Sequence, residues 1–386
     1  MNFTLTEEQN LIVQTVRDFV ENELYPHEDL VEKLDDIPED LVAQIQEKAI
    51  KYGLYAPNMP ESVGGGGLDA VSLVLVEREL GRASFALQSL VGRPSNILMA
   101  CKGDQIEKYL MPAVRGEKHD CLAMTEPEAG SDVRSMRTKA KLEGDHYVIN
   151  GTKHFISHAD RSDFVILFAA TGVTETSKGP RNEVSAFLVD MDTPGLTVTT
   201  GSQCVSHRGY HQSELSFVNA KIPAANLLGD EGKGLELMGE WLGAARLVIA
   251  ANSVGRAQRI LEATTDWVSQ RKQFGQNIGK FQGVAFPLAD SYTEVAAAEL
   301  LTLQAAHKLD SEKMTDTDAA MAKLFATETL GRVADRAVQA FGGMGLMSEA
   351  KIERWWRDAR VERIWDGTSE IQRHIISRAV LRPLEK

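Results

Sequence analysis

The sequence predicts an α+β protein of three units in the order helical, β, helical, and three observations carry that prediction. Apolar residues recur at helical spacing up to about Glu117, the period shortens to that of strands between about Cys121 and Leu228, and Ala-rich helical stretches follow from about Gly232. The expected units are residues 1–120, an N-terminal α-helical domain, residues 121–231, a middle antiparallel β domain, and residues 232–386, a C-terminal α-helical domain. A chain of 386 residues is long enough for two or three cores.

Thr6 and Gln9 have capping-box spacing, and Ile12, Val16, Phe19 and Val20 continue one helical stripe that Pro26 closes. Residues 41–54 form a second amphipathic stretch. The glycines at 64–67 break the chain before a helix from Ala70 to about Gly81. Clustered glycines can cradle a phosphate, but no Lys-Ser/Thr follows and no strand clearly precedes, so they read as a turn. In the middle unit Tyr147-Val148-Ile149 runs into Asn150-Gly151, a pair suited to the φ > 0 positions of a type I′ turn, and a hairpin is expected there. Residues 164–168, 186–189 and 215–217 are further short apolar runs between polar turns, which together suggest a barrel or sandwich. Residues 244–263, 284–309 and 316–341 are the long C-terminal helices.

A net charge of −13 argues against nucleic acid as the main partner. Cys101, Cys121 and Cys204 are too scattered for a disulfide framework or a zinc site and fit a reducing compartment. The N-terminal residues carry no signal or transit pattern, and no apolar run reaches membrane-spanning length. A cytoplasmic protein with neither metal nor membrane insertion is expected.

The most informative segment is Ile364-Trp365-Asp366-Gly367-Thr368-Ser369-Glu370-Ile371-Gln372-Arg373. It sets a lone acid, Asp366, between an indole and a glycine at a helix start, where Ser369 and Gln372 have capping-box spacing. Such a turn can offer a base and free N–H donors to one small ligand, or be only a helix with an acidic cap. Met124-Thr125-Glu126-Pro127-Glu128-Ala129-Gly130-Ser131-Asp132 forms a constrained polar loop that suits a planar heterocycle with imide edges, or is a structural turn. Phe155 and Ser157 fall on one strand face at i and i+2, the pair a ring and a hydroxyl beside a flavin would need. Arg271 and Phe274 end one helical stretch and Gln282 begins the next, a spacing able to grip a diphosphate and stack on a ring, or one of surface residues only. Gln339 and Gly343 lie at a helix end whose glycines permit close approach of backbone. Arg246 stands in an apolar helical stretch, where an anionic partner is expected. Catalytic-triad order, His-Glu-x-x-His, Walker and dinucleotide-fold patterns are absent from the sequence.

Taken together, T-E-P-E-A-G-S-D, N-G-T-K-H-F-I-S, R-K-Q-F-G with I-G-K-F-Q, Q-A-F-G-G-M-G and I-W-D-G-T-S-E-I-Q-R occur in the order and spacing of the acyl-CoA dehydrogenase family, which the whole chain resembles. The resemblance implies an oxidoreductase of fatty-acid metabolism that binds FAD and coenzyme A thioesters and passes electrons to an electron-transfer flavoprotein. It implies a homotetramer built of two dimers, with a homodimer as the alternative. By resemblance Met124 and Thr125 meet the pyrimidine edge of the flavin, Phe155 its ring and Ser157 its N5 region. Thr368 and Glu370 match positions near the diphosphate and adenosine. Arg271, Phe274, Gln282, Gln339 and Gly343 match residues that reach the FAD of a neighbouring subunit. Ser131, Arg246 and Gly367 match positions on the substrate side.

Asp366 aligns with the catalytic base, which takes the α-proton of the acyl thioester while a hydride leaves the β-carbon for the flavin. The thioester oxygen is then stabilised by the backbone N–H of the base and a ribityl hydroxyl. Burial against Trp365 and the flavin is expected to raise the pKa of Asp366 toward neutrality. The chain departs from the common pattern in having Asp where most members have Glu, Ala245 where some place their base, and Gly243 and His207-Arg208-Gly209-Tyr210-His211 at two further positions. Those features resemble a minority branch that uses Asp. Trp365 is expected to narrow the cavity toward a short or compact acyl group, and Arg93 reads as a surface arginine or as a partner for a polar acyl end. The reaction expected is oxidation to the trans-2-enoyl-CoA. Enoyl-CoA reduction, elimination from a substituted acyl-CoA and non-catalytic acyl-CoA binding are the alternatives.

Overall fold

A computed structural model describes residues 4–177 and 179–384. Helix α1 (Glu7–Phe19) begins with the expected capping box: the Thr6 hydroxyl accepts from the Gln9 N–H and the Gln9 side chain accepts from the Thr6 N–H. It buries Val16 and Phe19 in a core to which α2 (Glu28–Leu34), α3 (Glu39–Lys51) and α4 (Ala70–Leu80) add Val31, Ile45 and Leu80. The short helices α5 (Phe85–Ser89) and α6 (Met111–Val114) lead into the sheet.

Strands β1 (Asp120–Ala123), β2 (Lys139–Glu143), β3 (His146–Ser157), β4 (Phe164–Thr176), β5 (Gly179–Asp190), β6 (Leu196–Thr200), β7 (Gln212–Pro223) and β8 (Leu227–Leu228) form one sheet in the order β6-β7-β3-β2-β4-β5-β8. Most neighbours are antiparallel, while β1 runs parallel to β4. Along β4, Phe164, Ile166 and Phe168 join a core with Tyr109 and Leu110, and Val165, Leu167 and Ala169 join another with Tyr147, Ile149, Leu215 and Phe217. A strand covered on both faces reads as an unbroken apolar run rather than an alternation.

The hairpin expected at Asn150-Gly151 is absent. β3 runs through that pair, and the tight turn falls at Gly144-Asp145, between the paired residues Glu143 and His146. Asn150 instead serves an irregularity in the pairing with β7, where its Oδ1 accepts from the Asn219 N–H at 2.8 Å. Gly151 is required by closeness, since a Cβ there would lie 2.4 Å from the Thr138 hydroxyl oxygen.

The C-terminal part consists of α7 (Gly234–Gln270), α8 (Gln282–Asp310), α9 (Asp316–Phe341), α10 (Ile352–Val361) and α11 (Ser369–Leu381). A small ribbon, β9 (Lys272–Gln273) with β10 (Gln276–Asn277), joins α7 to α8. Alanines 250, 251, 257, 322, 326 and 334 share the core of α7 and α9. No helix among the described residues is long and apolar enough to cross a membrane.

α7 also crosses α4 at backbone distance: a Cβ on Gly255 would lie 1.8 Å from the Arg78 carbonyl oxygen. Gly255→Ala is therefore expected to destabilise the fold by about 3 kcal/mol in chemical denaturation. Gly239→Ala, on the same helix with nothing within 4 Å, should change stability little or raise it.

Candidate active site

After α10 ends, the chain makes a turn in which Asp366 and Gly367 both have positive φ, 49° and 92°. That conformation strains a residue with a side chain. It is held from beneath by Lys323 of α9, 1% exposed, whose ammonium donates to the carbonyls of Trp365 and Gly367. Thr368 then caps α11, its hydroxyl accepting from the Ile371 N–H at 3.3 Å. The cap is one residue earlier than the sequence pattern placed it, because Ser369 is buried and donates to Glu328 while Gln372 donates to the Gly367 carbonyl. Among the described residues the Asp366 N–H has no acceptor.

Burial holds the Asp366 carboxyl above the ordinary carboxylate value; Lys323, Arg93 and Arg246 oppose that rise, and Glu362 adds to it. Three cations therefore face one acid. Burial likewise draws the Lys323 ammonium down to about 8, against Asp366 and Glu362, which favour its charge. Arg246 on α7 is 7% exposed, its closest carboxylate is the exposed Asp316 at 3.7 Å, and its Nε finds no partner. A buried guanidinium with a free edge is a ready seat for an anionic or carbonyl group. Its neighbour Ala245 is buried, and no second acid stands there. Arg93 is exposed, as a surface arginine is, yet its Nε lies 3.5 Å from the buried Glu77 and its charge acts on Asp366, Asp120 and Tyr210.

Trp365 packs against Phe85 (4.8 Å) and His207 (5.1 Å), and Tyr210 meets Phe85 edge-on at 4.7 Å. The Trp365 indole donates to Glu362, which also accepts from Arg256 at 2.5 Å, while His207 bonds Glu362 through Nε2 and Asp358 through its backbone N–H. Burial pushes the Tyr210 hydroxyl up to about 12; a hydrogen bond with Ser157 opposes this and the charge of Asp366 adds to it. Tyr210 thus bonds Ser157 and lies within electrostatic reach of the acid.

The 124–132 loop is tied down from behind. Lys153 of β3 is fully buried and donates to the Met124 carbonyl and to Glu126, whose carboxylate also accepts from the Arg137 and Thr138 N–H groups. Met124 packs on the adjoining core, and the Thr125 N–H is left without an acceptor among the described residues. Ser131 is exposed farther along the loop. Phe155 and Ser157 do not follow simple strand alternation. A bulge lies between Lys153 and Ile156, so both of those residues point inward while Phe155, at φ 57°, is 61% exposed.

Thus the fold brings together Asp366, Gly367, Thr368, Glu370 and Arg246, with Ser157 linked through Tyr210. It does not bring Arg271, Phe274, Gln282, Gln339 or Gly343 to that place. Those five are exposed and lie around the far ends of α7 and α9, where Trp267 stacks on Phe341 at 4.7 Å. Lys323 and Gln339 are 16 residues apart on one helix, about 24 Å. Phe274 tips the ribbon at 92% exposure. Lys323, Lys153, Glu126 and Tyr210 escaped the sequence reading, although the logic that singled out Arg246 applies equally to Lys323, a charge set among Ala319, Ala320, Ala322 and Ala326.

The chain matches three family descriptions: acyl-CoA dehydrogenase N-terminal domain over residues 6–117, middle domain over 121–220 and C-terminal domain over 232–381. It is 39% identical to a probable acyl-CoA dehydrogenase of Bacillus subtilis (strain 168), covering 99% of this chain and 100% of that protein. It is 36% identical to the caffeyl-CoA reductase–Etf complex subunit CarC of Acetobacterium woodii, over 98% and 99% of the two chains. The solved FAD complex of PigA shares the fold with a TM-score of 0.91 at 28% identity, over 98% and 99% of the two chains.

Proposed function

Because the chain belongs to the acyl-CoA dehydrogenase family of oxidoreductases, we propose that it oxidises a short or compact acyl-CoA to the trans-2-enoyl-CoA, with residues 1–120, 121–231 and 232–386 as its three domains. FAD is its cofactor, and when bound it supplies the acceptor for the hydride. The residues present suit that group: the Thr125 N–H, without an acceptor among the described residues, fits a heterocycle carbonyl, Phe155 offers a largely exposed ring, and Ser157 and Thr368 supply hydroxyls. Arg271, Phe274, Gln282, Gln339 and Gly343 serve the cofactor of a neighbouring copy in a homotetramer or homodimer. Their distance from Asp366 along α7 and α9 supports this division. An electron-transfer flavoprotein reoxidises the enzyme.

One observation carries the reading: a half-buried acid whose pKa is held above the ordinary carboxylate value, in a turn whose own N–H has no acceptor among the described residues, faces three cations. Asp366 takes the α-proton, and its N–H donates to the thioester oxygen as charge grows there. Arg246, with Ser131 and Gly367, orients the thioester and its CoA. Trp365, Phe85 and Tyr210 wall the acyl side and exclude water, which favours a compact group. Enoyl-CoA reduction is the second reading, and the caffeyl-CoA reductase relative favours it.

Purified protein is expected to be yellow. Anaerobic mixing with butyryl-, isobutyryl- and 3-phenylpropanoyl-CoA should bleach the flavin with at least one of them. Colourless protein, or a flavin that none of these bleaches, sinks the oxidation reading. Faster turnover of an enoyl-CoA with reduced electron-transfer flavoprotein than of the saturated thioester with the oxidised form would favour reduction.

A further inference from the structure

We infer that Lys323 is a positioning residue for proton abstraction: by holding the carbonyls on either side of Asp366, it turns the Asp366 N–H away from α9, leaves it free for the thioester oxygen, and fixes the carboxylate beside it. The inference rests on the reaction proposed above. Lys323 lies in an alanine-rich run of α9, where an ammonium without partners would be costly. Among the described residues it forms no ion pair within 4.0 Å; its hydrogen bonds go to the Trp365 and Gly367 carbonyls. Gln372 gives the Gly367 carbonyl a second donor at 2.8 Å.

The consequence follows from peptide geometry. A trans peptide unit carries its C=O and N–H on opposite sides. The Trp365 carbonyl points at Lys323, so the N–H of that same unit, which belongs to Asp366, points away from it. This is the N–H left without an acceptor. Two carbonyls held on one cation also help to hold the left-handed φ of 49° at Asp366, a conformation that Asp tolerates better than most residues with a side chain. Charge acts together with geometry, since a cation on the carbonyl polarises the peptide and makes its N–H a stronger donor to a developing oxyanion. Electrostatic attraction to the nearby carboxylate further favours the ionised base.

Lys323→Met keeps the length of the side chain and removes both donors and the charge. The holoenzyme is compared with wild type using whichever panel thioester bleaches wild type fastest, reading FAD content, melting temperature, kcat, KM and the pH profile. The expected result is a folded, yellow protein whose kcat falls on the order of 100-fold, the loss typical of a mis-set oxyanion donor. KM should stay within about 3-fold. The acid limb of the profile should move to higher pH, because a cation that favours the ionised base has gone. A purely structural lysine would lower the melting temperature and leave kcat and the acid limb of the folded enzyme unchanged. That outcome overturns the inference and leaves the reaction standing. A wild type that no thioester bleaches overturns both. If the Met variant yields no soluble FAD protein, Lys323→Arg takes its place. It keeps the charge but sets the donors farther out, and a fall in kcat of about 10-fold with an unmoved acid limb is expected. Wild-type kcat in that variant overturns the inference.

Discussion

Asp366→Asn should lower kcat/KM by on the order of 10³-fold or more, the upper part of the range for loss of a general base, while the protein still binds FAD. The same change should raise the melting temperature at neutral pH. A carboxyl whose folded-state value lies above its unfolded one contributes stability below the unfolded value, and loses it as pH rises through the folded value. At neutral pH the ionised acid is therefore a burden on the fold, and the amide removes it. Activity has the opposite dependence, since the base must be ionised: in wild type kcat/KM should fall as pH drops through the raised value of Asp366. Stopped-flow bleaching and thermal melts on one preparation read both effects. Bleaching at the wild-type rate in Asp366→Asn would remove Asp366 as the base.

The second large effect is on stability. Glu362→Gln breaks the buried set formed by Glu362, Arg256, His207, Asp358 and the Trp365 indole. Loss of one charge from such a set strands the others and costs about 3–5 kcal/mol. Its pH signature has two sides. Burial pushes the Glu362 and Asp358 carboxyls up, but Arg256 and His207 hold them below 4.5 and 3.8, so their stability is present above those values and is lost as pH falls through the lower folded ones. Burial pulls His207 down, yet Asp358 and Glu362 hold it above 6.5; its share is present below 6.5 and lost as pH rises through its folded value. Wild type should thus be most stable in mildly acidic solution, and the variant should lose most stability there. Denaturation midpoints across pH check this, and an unchanged midpoint near pH 6 would count against the network.

Much of this was legible in the sequence because it is local. Thr6 and Gln9 specify a cap within one turn, and the helices of the third unit announce themselves through alanine and spacing alone. The Asn150-Gly151 pair misled for a physical reason. Its composition signals a departure from regular strand geometry, and a bulge meets that demand as well as a hairpin does, so only the partner strand decides. The candidate site was marked in the sequence in two ways: the order of the motifs pointed to Asp366, and a lone charge in an apolar helical stretch pointed to Arg246. What lay hidden were lysines 153 and 323. The alanines around Lys323 hint at burial, but only the fold shows that its ammonium ends on two carbonyls and that of Lys153 on a carbonyl and the Glu126 carboxylate. The His207–Glu362 pairing joins residues 155 positions apart, beyond the reach of any periodicity.

One feature of the sheet bears on how the chain is made. The face of β4 carrying Phe164, Ile166 and Phe168 is covered in part by Met238, Leu235 and Trp241 at the start of α7. During synthesis those residues emerge only after the whole sheet has left the ribosome. For that interval a greasy strand lacks part of its cover, in a segment of strong β propensity and little charge, the composition that invites pairing with other chains. The first turns of α7 thus act as a late-arriving lid, and the hazard ends when they close.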